Sequence, residues 1–129
     1  MSDVEPVIAT VSEEWPPFGV TEEPLDGAVV LGVSGELDLA TAPDLRERLG
    51  AAVDSGKTRI VVDLREVTFM DSVGLAAVVH AYSRLRTGGR LALVVAPESY
   101  AQLVLESTGM RGALAVFAGR DEAVEHVRG

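Results

Sequence analysis

Cysteine is absent from the 129 residues. That excludes disulfide staples and every thiolate-ligated metal or redox centre, and it is compatible with a reducing compartment, so the cytoplasm is the default expectation. Long hydrophobic runs are missing too. The longest buried-looking strand, 91–96, falls far short of the roughly 18 residues that a membrane-spanning helix needs. The opening "MSDVEPVIATVSEEW" has no basic region and no small-residue cleavage pattern, so no signal peptide is expected. Basic residues are few: 11 against 20 acids, a net charge of -9, and Lys57 is the sole lysine. Nucleic-acid backbones and anionic lipid are read by clustered Lys and Arg, so neither is an expected partner. A protein with a basic face or a small ligand remains.

Catalytic equipment is equally thin. The two histidines, His80 and His126, belong to no metal-ligand spacing. The "GGR" at 88–90 is not followed by the Lys-Ser/Thr of a phosphate loop, and no Gly-x-Ser-x-Gly elbow surrounds Ser72. A serine without a general base is not a self-activated nucleophile. The expectation is a non-enzymatic protein with no cofactor and no metal.

What is present is a foldable core: 47% of the residues are hydrophobic in a chain long enough for one domain. Residues 1–17 are acidic and broken by Pro6, Pro16 and Pro17, and read as a loose extension, with Trp15 able to pack back onto the domain. Strands are expected at 18–23, 28–34, 58–63, 91–96 and 114–117. Helices are expected from Thr41 to about Gly56, from Ser72 to Gly88-Gly89, from Ser99 to about Ser107, and over 121–127. In the second helix Leu75, Val78, Val79, Tyr82 and Leu85 share a face. Ser99 and Gln102 have the spacing of a capping box. Two leading strands followed by strand–helix alternation predict an α/β fold: a mostly parallel sheet of about five strands with about four helices packed on it.

One stretch stands apart. "VTFMDSVGL" (67–75) sets Asp71 and Ser72 between a strand end and a helix start, with Gly74 in the first helical turn. In a parallel sheet such loops gather at the carboxyl ends of the strands, where binding takes place. Either polar residue can cap the helix. Either can equally belong to a phosphorylatable docking surface, since a helix N-terminus tolerates a phosphate. Gly74 weakens a helix by about 1 kcal/mol relative to Ala, so something else favours it, such as close approach by a partner backbone. Asp38, before the first helix, can cap, sit in solvent, or share that surface. Asp63, at a strand end, reads as structural.

Taken together, "GELDLATAP" (35–43), "VVDLREVTFMDSVGL" (61–75), "GGRLALV" (88–94) and "LVLESTGM" (103–110) resemble the STAS domain family over residues 18–128, and within it the anti-sigma factor antagonists of bacteria. The resemblance implies that Ser72 is phosphorylated by an anti-sigma factor serine kinase that itself holds the ATP. It implies a docking surface of Asp38, Asp71, Ser72, Val73 and Gly74. The unphosphorylated form would bind that kinase and free its sigma factor, and phosphorylation would end the binding. Val73 stands where many members carry a second Ser or Thr, which leaves one acceptor, and the extension at 1–17 exceeds the usual lead-in. A STAS subunit of a stress-signalling scaffold or of a lipid-transport ATPase complex is the alternative. A small nucleotide-binding α/β protein ranks below it. The sequence leaves a monomer and a weak dimer equally open.

Overall fold

The computed structural model describes residues 17–85 and 88–129; Trp15 and the rest of the N-terminal extension lie outside them. Gly19–Leu25 (β1) and Ala28–Leu37 (β2) form an antiparallel hairpin. Its two-residue loop is Asp26-Gly27, with φ of 52° and 83°. Positive φ at both loop positions is what a type I′ turn requires, and Asp-Gly is a favoured pair there. Then follow Ala42–Asp54 (α1), Arg59–Met70 (β3), Ser72–Arg84 (α2), Arg90–Val94 (β4), Tyr100–Thr108 (α3), Ala115–Phe117 (β5) and Arg120–Arg128 (α4). The five strands lie side by side in chain order, and every pair after the first is parallel. The expected α/β architecture of five strands and four helices is the one observed.

Strand order equal to chain order has a consequence for layering. Successive right-handed crossovers all return on the same face of the sheet. Accordingly α1, α2 and α3 share one core with Leu31, Val33, Ile60, Val62, Leu91 and Leu93. After β5 the chain turns under, and α4 buries Ala123, Val124 and Val127 against Val30, Val61, Ala92 and Val94 on the other face. With both faces covered, β2, β3 and β4 read as continuous apolar runs rather than alternating ones.

Several boundaries move. The third strand, expected to end at Asp63, continues to Met70, and the second continues from Ser34 to Leu37. Arg65, Glu66 and Thr68 interrupt the apolar pattern, yet the strand persists because β2 pairs with it through two register shifts, after Gly32 and after Gly35. This two-stranded ribbon runs beyond the end of β4, so water reaches it and polar side chains fit. Helix α2 ends at Arg84, ahead of Gly88-Gly89, and Leu85 is already extended. Its buried face is Gly74, Leu75, Ala77, Val78 and Ala81, which leaves Tyr82 exposed. Ala77 and Ala81 join Leu75 and Val78 on this buried face.

A candidate partner-docking site

The ribbon determines where the candidate residues sit. Leu37 pairs with Met70, so the chain leaves β2 and β3 at neighbouring points and Asp38 and Asp71 follow side by side. The Asp71 N–H donates to the Leu37 carbonyl at 3.4 Å, tying the two exits together.

Asp71 is the N-cap of α2. Its extended backbone (φ -124°) leaves Oδ1 to accept from the Val73 and Gly74 N–H groups at 3.0 and 3.3 Å. Capping therefore falls to the aspartate, and the serine is released from it. Ser72 is the first helical residue, exposed, and among the described residues no hydrogen bond engages its hydroxyl. Val73 beside it is 39% exposed and adds an apolar side chain to the same surface.

Gly74 has an internal explanation, which corrects its reading as a point of approach for a partner backbone. It is buried, and a Cβ there would lie 2.6 Å from Leu37 Cγ and 3.0 Å from the Leu37 carbonyl oxygen. The first turn of α2 rests directly on the end of β2, and only hydrogen fits between them.

Asp38 is held by a closed set of hydrogen bonds. Its Oδ1 accepts from the Ala40 N–H at 3.0 Å and the Thr41 N–H at 3.2 Å, and lies 3.2 Å from Thr41 Oγ1. Thr41 Oγ1 in turn accepts from the Asp38 N–H at 3.0 Å and donates to the Glu36 carbonyl at 2.7 Å. A threonine at this position can cap α1 with its side chain. Thr41 sits at the N-cap position, but its hydroxyl points back to the strand and braces the loop. The loop so fixed presents Leu39 at its tip, 73% exposed. Thr41 and Leu39 escape a reading by residue type, because an apolar residue in "LDLA" signals burial and a threonine before a helix signals a cap.

Asp63 lies apart from this surface. It is the one buried charged residue of the described chain. Its carboxylate accepts from the Arg65 backbone N–H at 3.1 Å and from the Arg65 guanidinium at 2.8 and 3.0 Å. Arg120 at the start of α4 donates to it at 3.2 and 3.3 Å, and also reaches Glu23 on β1 at 3.1 Å. Burial by itself would raise the Asp63 pKa, but the hydrogen bonds and charge of Arg65, with Arg120, outweigh it and hold the carboxyl below its ordinary range. The group latches α4 to the sheet, in keeping with the structural role expected of it.

Neither histidine reaches Ser72 by a hydrogen bond. His80 Nε2 lies 3.4 Å from Arg46 Nη2, and the His126 ring packs on Phe117 with centroids 5.3 Å apart. Among the described residues no group of three His, Asp or Glu side chains gathers as metal ligands would. No helix there is long and apolar enough to cross a membrane.

Comparison with known proteins identifies the family to which this fold belongs. The STAS domain family model matches residues 21–123. The anti-sigma-F factor antagonist RsfB of Mycobacterium tuberculosis is 32% identical over 110 residues, covering 85% of this chain and 89% of its own. The crystal structure of an anti-sigma factor antagonist from Mycobacterium paratuberculosis superposes with a TM-score of 0.81 at 30% identity, covering 87% of this chain and 95% of that one. The Bacillus cell-fate determinant SpoIIAA, solved in its phosphorylated form, gives a TM-score of 0.65 at 27% identity, with 85% and 100% covered. With a fold of one antiparallel and three parallel strand pairs, a ribbon that brings Asp38 beside Asp71, and a family match across most of its length, this chain belongs to the STAS domain family.

Proposed function

We propose that this protein is an anti-sigma factor antagonist whose binding is switched at Ser72. Unphosphorylated, it docks through the surface of Asp38, Asp71, Ser72 and Val73 on an anti-sigma factor that is also a serine kinase, and the sigma factor is released. The kinase, holding ATP, then phosphorylates Ser72 and binding ends. A complex of that kind works in the cytoplasm.

The observation that carries this reading is the division of labour at the start of α2. Asp71 already occupies the Val73 and Gly74 N–H groups. A phosphate on Ser72 therefore finds no vacant cradle there, and its charge of about -1.5 to -2 is added to the outer surface next to a carboxylate. Unit charges about 4 Å apart interact by roughly 1 kcal/mol in water and about 4 kcal/mol near a protein surface. A phosphate facing an acidic or tightly packed partner group thus weakens binding by one to three powers of ten while the fold stays as it is. The family relationship to RsfB, and to a relative solved in a phosphorylated form, supports the reading.

The test is affinity capture from cell extract with wild-type, Ser72→Ala and Ser72→Asp baits, followed by phosphorylation of the wild type with the captured kinase and ATP. Wild type and Ser72→Ala are expected to retain an ATP-binding anti-sigma factor that Ser72→Asp loses, with phosphate entering Ser72 alone. Capture of a transporter ATPase or a multimeric scaffold instead, or phosphate at another residue, refutes the proposal.

A further inference from the structure

A second exposed apolar cluster begins where β3 delivers Ser72. Phe69, three residues before it, is 36% exposed and packs its ring on Tyr100 with centroids 5.0 Å apart. Tyr100 is 49% exposed and Leu103 58% exposed. The two are three apart on α3 and so share one outward face of that helix. An open groove of about 360 Å³ runs along this face, with Glu98 and Glu106 at its margins. The buried face of α3 is supplied by Ala101, Val104 and Leu105. Singly exposed apolar residues are ordinary on a protein surface, but a contiguous cluster with a polar margin marks an interaction site, and tyrosine is among the residues that dominate binding energy.

We infer that the surface binding the anti-sigma factor continues past Ser72 along Phe69 and Tyr100 to Leu103, and takes there an apolar side chain of that partner flanked by Lys or Arg. The inference rests on the function proposed above. Two observations select this occupant. The cluster is continuous with the switch through the last residues of β3, so one partner can cover both. Its margin is acidic on a chain of net charge -9. Two copies joined face to face would bring Glu98 and Glu106 against their own kind, although Arg111 lies 3.9 Å from Glu106 and offsets part of that charge. A basic partner segment meets complementary charge. The footprint then has two parts with different duties. The surface around Ser72 reads the phosphate, and the α3 shelf supplies contact that the phosphate does not touch.

The experiment uses full-length baits of wild type, Ser72→Asp, Tyr100→Ala, Leu103→Glu and, as a control at the opposite end of the sheet, Lys57→Glu. Each is checked for native circular dichroism, with quantitative capture of the anti-sigma kinase and sedimentation of the wild type and of Leu103→Glu without the kinase. Tyr100→Ala and Leu103→Glu are expected to weaken capture at least tenfold and Lys57→Glu to leave it unchanged. Both α3 variants should still be phosphorylated at Ser72 when the kinase is in excess. If Ser72→Asp loses the kinase while both α3 variants keep it, the shelf has no part in docking and the inference fails with the function intact. If none of the variants alters capture, or no such kinase is captured by wild type, the function itself is refuted and the inference with it. Concentration-dependent dimerisation abolished by Leu103→Glu would overturn it in favour of a second copy.

Discussion

Replacing Gly74 by alanine sets two physical effects against each other, and the structure gives their order. Alanine in place of glycine in a helix gains up to about 1 kcal/mol from backbone entropy. At Gly74 the new Cβ would lie 2.6 Å from Leu37 Cγ and 3.0 Å from both Leu37 Cδ2 and the Leu37 carbonyl oxygen, whereas carbon–carbon contacts rest at about 3.5–4.0 Å. Close to 1 Å must be opened between α2 and β2. Leu37 cannot give way easily, because it is fully buried in the core and its carbonyl receives the Asp71 N–H. Overpacking of this kind costs about 1–3 kcal/mol. The upper part of that range applies where backbone is among the obstructing atoms, so the net expectation is a loss of about 1–2 kcal/mol. Urea unfolding should show a lower midpoint at unchanged slope, and thermal melting a fall of about 3–8 °C. Leu37→Ala alone costs about 2–5 kcal/mol as a cavity. Combined with Gly74→Ala, the loss should be smaller than the sum by about 1–2 kcal/mol, because each change relieves the other. A Gly74→Ala protein more stable than wild type, or strict additivity with Leu37→Ala, would refute close packing as the reason for this glycine.

Two further expectations concern the aspartates. Asp71→Ala removes the cap of α2 and should lower stability by about 1 kcal/mol, while Asp71→Asn, which keeps an acceptor oxygen, should recover most of it; equal losses in the two urea titrations would assign the effect to charge. Asp63→Asn should cost about 2–3 kcal/mol near neutral pH, since a buried carboxylate shared by Arg65 and Arg120 loses its charge. The folded pKa of Asp63 is lowered, so the unfolded chain takes up the proton first. The wild-type advantage is then complete above the ordinary aspartate value of about 3.9 and disappears as pH falls through the lower folded value. The gap between the melting curves of the two proteins should narrow steadily as pH falls below the ordinary aspartate value of about 3.9, and a gap that does not narrow with acidification would contradict the ionic origin of the latch.

The sequence by itself determined the fold class, because apolar runs of strand length alternating with helical periods admit few arrangements, and it determined that Asp71 and Ser72 sit at a strand-to-helix junction. The start of α3 was legible as well: Ser99 Oγ accepts the Gln102 N–H at 3.2 Å, and Gln102 Oε1 reaches back to the Glu98 N–H at 2.9 Å. These are local properties, decided by residues within one turn of each other. What only the tertiary structure decided is the work each site residue performs. The continuation of β3 through Arg65, Glu66 and Thr68 depends on pairing with β2, residues more than thirty positions away, and that pairing sets Asp38 beside Asp71. Gly74 reads as an opening for a partner until Leu37 is found beneath it. Thr41 reads as a cap until its hydroxyl is found beside the Glu36 carbonyl. Exposure of Leu39, Phe69, Tyr100 and Leu103 cannot be inferred from their hydrophobicity, which argues for burial, because whether an apolar side chain finds a core depends on what the rest of the chain leaves for it to pack against. The serine that sequence could only place at a helix start has an exposed hydroxyl with no hydrogen bond among the described residues, because the aspartate before it has taken the cap.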